Sequence, residues 1–399
     1  MKICQINSVY GQGSTGKIVK VLHEQLTQHG HESVAVCSVR RHTDPHVHRI
    51  SNRLLSKATA VYRRVFARQF DGALLQTNRL LSILKRERPD VVHLHCINGN
   101  NINIYRLMRY LSKHDIPTVL TLHAEFPYTG GCAHAYDCEK WKTGCGNCAV
   151  AKKETQSLLF DGTTHTWRSQ KACYDGFDPD KFVVAAVSPW LQSRAEQSPM
   201  LSRFSVCSIP NGVDTSVFYR HEPKPSENGK KIVFFATALF DTVNDNDKGG
   251  KDLLKLAERM KDSPVKFVVA ANRSVVGELP DNVLLLGRTK TQDELAQWYS
   301  SADLTIILSK RETFSMPVAE SLCCGTPVVG YRAGGPESIA LPDCTQFVPH
   351  GDMDALQACV ETVLNTVYDR DAIAQTAQQR YSENRMYQDY EALYRKLHR

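Results

Sequence analysis

The chain has 399 residues, of which 42% are hydrophobic and 23% charged. That length accommodates two sizeable α/β domains, and the composition excludes a disordered chain, a coiled coil and a small disulfide-stapled fold. The formal net charge of +7 divides unevenly: residues 1–220 hold 28 Lys+Arg against 17 Asp+Glu, and residues 221–399 hold 21 against 25, so the halves are expected to face different partners.

No apolar run reaches the roughly 18 residues of a membrane-spanning helix, and MKICQINSVYG has too short an apolar stretch for a signal peptide. A cytoplasmic chain is predicted, with most of its 13 cysteines as reduced thiols. In chain order, KICQIN predicts a strand, Gly11 to Lys17 a glycine-rich turn, and KIVKVLHEQLTQHG a helix. SVAVCS, DVVHLHC, IPTVLTLH and FVVAAVS read as further strands, apolar on both faces as in a parallel sheet covered by helices. The rhythm resumes with strands KIVFFAT, VKFVVAA, NVLLLG, LTIILS and TPVVGY, between helices KGGKDLLKLAERMK, DELAQWYSSA and MPVAESLCCG. Between the halves, Pro210, Asn211, Gly212, Pro223, Pro225 and Gly229 interrupt every period and mark a linker.

Two doubly wound α/β domains therefore face an interdomain cleft, where the carboxyl ends of such sheets bind ligands. The expected division is 1–217, with a Cys-rich loop over 124–150, then 218–382, then a terminal helix over 383–399. In that helix Tyr387, Tyr390, Leu393, Tyr394 and Leu397 recur at 3 and 4 spacing, and it is expected to pack back on the first domain.

Gly11-Gln12-Gly13-Ser14-Thr15-Gly16-Lys17 almost spells a phosphate-binding loop, but Ile18 stands where the magnesium-ligating Ser/Thr would be. Nucleotide hydrolysis, a plain tight turn and a loop contacting donor phosphate or sugar all stay open. His123 closes an apolar strand at its carboxyl end, as a site residue or as an ordinary structural histidine. Lys248 precedes Gly249-Gly250 at a helix start, where a cation beside free amides suits a diphosphate; a solvated surface lysine is the alternative. Glu312 and Glu320 stand eight positions apart around Met316-Pro317, a helix start with proline near its first position.

This set resembles the retaining glycosyltransferases of family 4, with the GT-B fold of two Rossmann-like domains. The resemblance covers nearly the whole chain and rests on the first loop, His123, Ile209-Pro210-Asn211-Gly212-Val213-Asp214, Lys248-Gly249, and the Glu312 to Glu320 block with its G-T-P-V-V strand. It implies that Glu320 holds ribose hydroxyls of a UDP- or GDP-sugar, that Glu312 contacts the donor sugar, and that Phe314, Ser315, Met316 and Pro317 meet sugar or phosphate through their amides. Lys248 would neutralise the diphosphate, His123 would sit on the donor sugar, and Gly13 and Ser14 would close the first-domain side. No cofactor is implied for catalysis. The family's arginine after the first strand of the second domain is missing from Phe235-Ala236-Thr237-Ala238, which leaves Lys248 alone or with Lys310 or Arg311. A sugar-nucleotide epimerase of the same fold, a phosphorylase and a P-loop-like nucleotide-binding protein are the competing readings.

The segment TLHAEFPYTGGCAHAYDCEKWKTGCGNC resembles the cysteine-containing loop of capsule and exopolysaccharide transferases of the colanic acid type. Cys132, Cys138, Cys145 and Cys148 would satisfy a structural zinc, with packed thiols and disulfides as alternatives. Residues 49–88 hold ten Lys/Arg against Asp71 and Glu87, interleaved with Leu54, Val61, Tyr62 and Phe66. Such a segment suits an anionic membrane surface, where a lipid-linked saccharide acceptor of a growing surface polysaccharide would be met, and predicts a peripheral position on the inner face. A basic helix packing on its own sheet competes with that. No recognition motif for nucleic acid accompanies the charge.

Overall fold

The computed structural model describes all residues except 39–41, 100, 225–228 and 245–246, so the linker's Pro225 lies outside the described residues. The chain forms two units, one of Met1–Pro210 with Tyr387–Arg399 and one of Asn211–Met386.

The first unit is built on β1 (Lys2–Ile6), β2 (Glu32–Cys37), β3 (Val47–Arg49), β4 (Val91–Leu94), β5 (Thr118–Leu122), β6 (Phe182–Ala186) and β7 (Ser205–Ser208). These form one sheet in the order β3-β2-β1-β4-β5-β6-β7, with every neighbour parallel. Parallel strands need crossovers, here supplied by α1 (Gly13–Gln28), α2 (Arg53–Phe66), α3 (Leu74–Glu87), α4 (Ile104–Lys113), α5 (Ala151–Glu154), α6 (Thr163–Tyr174) and α7 (Pro189–Glu196). The central strands β4, β5 and β6 are buried throughout, which explains their unbroken apolar runs. The strand order reverses between β1 and β4, and both run toward the same carboxyl edge.

The second unit pairs β8 (Lys231–Asp241), β9 (Val265–Val275), β10 (Val283–Gly287), β11 (Leu304–Ile307), β12 (Val328–Tyr331) and β13 (Thr345–Val348) in the order β10-β9-β8-β11-β12-β13. Helices α8 (Gly250–Arg259), α9 (Gln292–Ser301), α10 (Met316–Cys323), α11 (Gly335–Ser338), α12 (Met353–Leu364) and α13 (Arg370–Tyr381) connect and cover it. Alternate strand residues face opposite layers: Val233 and Phe235 join Leu253, Leu256 and Leu356 in one core, whereas Phe234 meets Tyr299 of α9 edge-on at 5.1 Å.

The division at Pro210/Asn211 comes earlier than the expected 217/218, because residues after Pro210 bond within the second unit. Val213 N donates to Tyr381 O at 2.7 Å, and Phe218 packs against Tyr299 at 6.3 Å. The last helix, α14 (Glu383–Leu397), returns its later residues to the first unit. Tyr390 and Tyr394 are buried there, bonded to Thr121 and His93 at 2.8 and 2.6 Å.

Candidate functional site

In the second unit, the expected donor residues lie where the chain leaves β8 and β11. Gly249 has φ +80°, and a Cβ there would lie 2.4 Å from the Leu308 carbonyl oxygen, so only glycine lets α8 start against the chain that leaves β11. Lys310 N donates to Asp247 O at 2.9 Å, tying the two segments together. Lys248 Nζ then meets Glu312 Oε1 at 2.5 Å, both side chains part-exposed. Glu312 is held by its backbone, donating to Ala333 O at 3.0 Å and accepting from Gly335 N at 2.8 Å. The Glu337 carboxylate closes the turn behind it, accepting from the amides of Ala333 and Gly334 at 2.8–2.9 Å.

Ser315 precedes α10 with φ +91° and no side-chain cap on the helix. A non-glycine residue in that region carries strain that its surroundings must hold, and Phe314, buried against Tyr381 at 6.2 Å, anchors it. The uncapped first turn of α10 presents the backbone amides of a helix start, a setting that favours anions. Pro317 occupies that turn without giving up a needed hydrogen bond. One turn on, Glu320 Oε2 accepts from the buried Tyr299 hydroxyl at 3.2 Å, which fixes the carboxylate's rotamer. Lys248 and Glu312 are thus paired, and Phe314, Ser315, Met316, Pro317 and Glu320 share one strained turn and helix start. Lys310 and Arg311 stand beside this pair along the chain, and 235–238 supplies no cation.

In the first unit, His123 directly follows β5. Its Nε2 lies 3.2 Å from His95 Nδ1, and the rings stack at 5.5 Å. His95 packs on His93 at 3.8 Å between centroids. His93 in turn bonds Tyr394 through Nδ1 and Thr121 through Nε2, at 2.6 and 2.7 Å. Burial holds His93 and His95 well below the usual imidazole range and brings His123 down to about 4, so all three are neutral near neutral pH. An imidazole with a depressed folded pKa binds protons more weakly than in the unfolded chain. Stability is therefore full above about 6.5 and lost as pH falls toward about 4. The expected slope is about 1.4 kcal/mol per pH unit for each such imidazole. Thermal melts from pH 7 to 5 should show it, and His95→Gln should flatten it; an unchanged slope in that variant would contradict the assignment.

Gly13 and Ser14 are exposed at the start of α1, at the carboxyl end of β1, and the Gly11 amide bonds back to Gly16 O at 2.7 Å. Ile18 is 5% exposed and belongs to the core, so the position that would ligate magnesium in a phosphate-binding loop is committed to packing.

In the Cys-rich segment, Cys132, Cys138, Cys145 and Cys148 are free thiols, and among the described residues no group of three or more His, Cys, Asp or Glu forms a ready-made ligand set. The loop is organised around other groups. Glu125 is fully buried and accepts from Tyr128 Oη, Ala135 N and Arg194 Nε at 2.8, 2.7 and 2.6 Å. Trp141, buried, has the Arg194 guanidinium 4.7 Å over its ring. Cys138 is left exposed, Cys145 Sγ accepts from Gly130 N at 3.1 Å, and burial pushes the Cys132 thiol up to about 12.

Helix α2 has no fully buried residue; Leu55, Thr59, Ala60 and Val65 are half-buried, and Gln76 donates to Thr59 at 3.5 Å. Leu54, Val61 and Phe66 are exposed, and Leu158 N donates to Arg64 O at 2.9 Å, bringing the exposed Leu158, Leu159 and Phe160 alongside. Among the described residues no helix is long and apolar enough to cross a membrane.

Sequence reasoning passed over His93, His95, Glu125, Arg194, Tyr299 and Glu337. The His-x-His of DVVHLHC was a usable signal, since period 2 puts both rings on one side of a strand.

Known proteins match this architecture over its full length. The family described as Glycosyltransferase Family 4 matches residues 15–217, and the one described as Glycosyl transferases group 1 matches residues 220–380. The putative colanic acid biosynthesis glycosyl transferase WcaC of Escherichia coli K12 is 23% identical over the whole of both chains. A GDP-mannose-dependent alpha-mannosyltransferase of Mycobacterium tuberculosis is 23% identical over 92% of this chain and 87% of its own. Among solved structures, a glycosyltransferase from Rickettsia africae superposes with TM-score 0.67 at 13% identity, covering 99% of this chain and 98% of its own. HepE of Anabaena, solved with UDP, gives 0.61 at 13% identity over 98% of both chains. The fold is the GT-B fold of these enzymes.

Proposed function

Because the chain belongs to glycosyltransferase family 4, we propose that it moves a sugar, with retention of configuration, from a UDP- or GDP-sugar to a lipid-linked acceptor in surface polysaccharide synthesis. The observation that carries the reading is the Lys248–Glu312 pair beside the uncapped start of α10, with Glu320 one turn on. A nucleoside diphosphate needs fixed positive charge on its phosphates and hydrogen-bond acceptors on its ribose, and this segment supplies an ammonium, helix amides and a carboxylate.

In the mechanism, Glu320, held by Tyr299, takes the ribose hydroxyls. The diphosphate meets the α10 amides and Lys248, which stabilise the negative charge that grows on the leaving oxygen. Glu312 places the ammonium and receives a donor-sugar hydroxyl. In the first unit, the neutral His123 and the exposed Gly13 and Ser14 are the residues proposed to bind sugar. The departing phosphate oxygen takes the acceptor proton on the same face, so positioning does the work of a protein nucleophile. Catalysis requires no cofactor in this scheme, since the fixed positive charge comes from the chain itself.

The polysaccharide assignment draws support from the name of the E. coli relative, and the donor class from the UDP of HepE and the GDP-mannose of the mycobacterial enzyme. The basic, apolar face of α2 supports a cytoplasmic position against the inner face of the membrane. A ligand that binds only the native state raises its melting temperature. Screening the full chain against UDP- and GDP-sugars should give a rise with one base and little with the other; no rise with any of them would remove the donor assignment.

A further inference from the structure

A cavity of about 450 Å³ opens in the first unit between α4, α6 and the connection from α2 to α3. Helix connections in a parallel sheet start at its carboxyl edge, so both α4 and α6 begin there, at the edge that carries His123. Arg106 and Arg109 stand one turn apart on α4 and line the cavity together with His165 and Ser169 of α6. Both arginines are exposed, and among the described residues neither forms an ion pair with a carboxylate. Arg109 also lies beside the Cys173 thiol.

Behind the lining, the Arg68 guanidinium bonds His165 at 2.8 Å. The carboxylate in the lining is Asp71, 3.9 Å from Arg68 and 3.7 Å from His165, and burial raises its pKa despite them. The remaining walls are Asn103, Tyr105 and the exposed Leu74. The volume falls in the usual range for small-molecule sites. Its chemistry is cationic, with the positive ends of two helices added to the guanidinium groups, and it opens beside apolar side chains that nothing in this unit covers.

We propose that this cavity binds the diphosphate group of a lipid-linked saccharide acceptor, with Arg106 and Arg109 as its clamp. The inference deepens the acceptor class proposed above and rests on it. Guanidinium groups grip phosphate oxygens through paired N–H donors. The apolar residues at the rim, Leu74 here and Leu75 next to it, are where a lipid chain would leave the headgroup.

The test is capture of the full chain by phosphatidylcholine vesicles doped with farnesyl diphosphate, compared with vesicles doped with phosphatidylglycerol. The double variant Arg106→Gln/Arg109→Gln should lose about tenfold or more in affinity for the diphosphate vesicles, with capture by phosphatidylglycerol unchanged. Inorganic diphosphate should compete for the wild type. Lys113→Gln, on the same helix outside the cavity, should behave as wild type. Equal capture of the double variant and the wild type overturns the site, as does a parallel loss on both vesicle types, which would mean non-specific attraction to an anionic bilayer. Binding is read without turnover, so the outcome is separate from the donor screen: a chain stabilised by a nucleotide sugar but indifferent to diphosphate lipid loses this site alone.

Discussion

Lys248→Ala should lower kcat by about 10²- to 10³-fold, or about 2.7–4 kcal/mol of transition-state stabilisation, with a smaller change in KM. The ammonium reaches the site because Gly249 lets α8 begin tight against the chain leaving β11, and Glu312 holds it at 2.5 Å. Negative charge accumulates on the leaving diphosphate as the sugar bond breaks, so the interaction strengthens toward the transition state and appears mainly in kcat. Lys248→Arg should recover part of the loss, since the charge stays while the point geometry changes. Steady-state rates with the donor identified by the thermal screen check this, and a rate within a factor of two of wild type would take Lys248 out of the reaction.

The second large effect is on stability. Glu125→Ala should cost about 3–5 kcal/mol, because it strips the acceptor from three donors at once and leaves the Arg194 guanidinium, 12% exposed, paired with the more exposed Glu139 carboxylate at 3.6 Å. For a unit of this size that corresponds to a drop of about 6–20 °C in Tm. Glu125→Gln should cost less, since an amide oxygen in the place of Oε1 still accepts from Tyr128 and Arg194, and only the bond from Ala135 N to Oε2 is lost. Scanning calorimetry resolves the transition, and a double cycle with Arg194→Ala isolates the pair's coupling. A shift of Glu125→Ala within about 2 °C would mean that the Cys-rich loop is held by something else.

Some of this was legible in the chain. IPTVLTLH reads as a buried parallel strand ending on a histidine, and the structure gives Thr118–Leu122 with His123 just beyond it. The 3 and 4 spacing of Tyr387, Tyr390, Leu393, Tyr394 and Leu397 marks a helix; all of these but Leu393 are buried, and Met386 is buried with them. Partners distant in sequence were not legible. His93 and Tyr394 lie 301 positions apart, and Glu125 and Arg194 lie 69 apart; no local period encodes either meeting. The organisation of the Cys-rich loop was hidden for the same reason: the backbone between the four cysteines is tied to the buried carboxylate of Glu125, and Trp141 is buried under the Arg194 guanidinium. For α2, the amphipathic pattern was read as a helix, and pattern alone could not show how shallow its packing is: Leu55, Thr59, Ala60 and Val65 are half-buried while Leu54, Val61 and Phe66 are exposed.

The donor assignment is tested most directly by calorimetric titration of the stabilising nucleoside diphosphate into wild-type chain and Glu320→Ala, with Tyr299→Phe alongside. Glu320→Ala should bind about tenfold more weakly or worse, as expected for losing a charge-assisted hydrogen bond, and Tyr299→Phe should fall between it and wild type. Equal affinity in all three would place the nucleotide away from α10 and contradict the account.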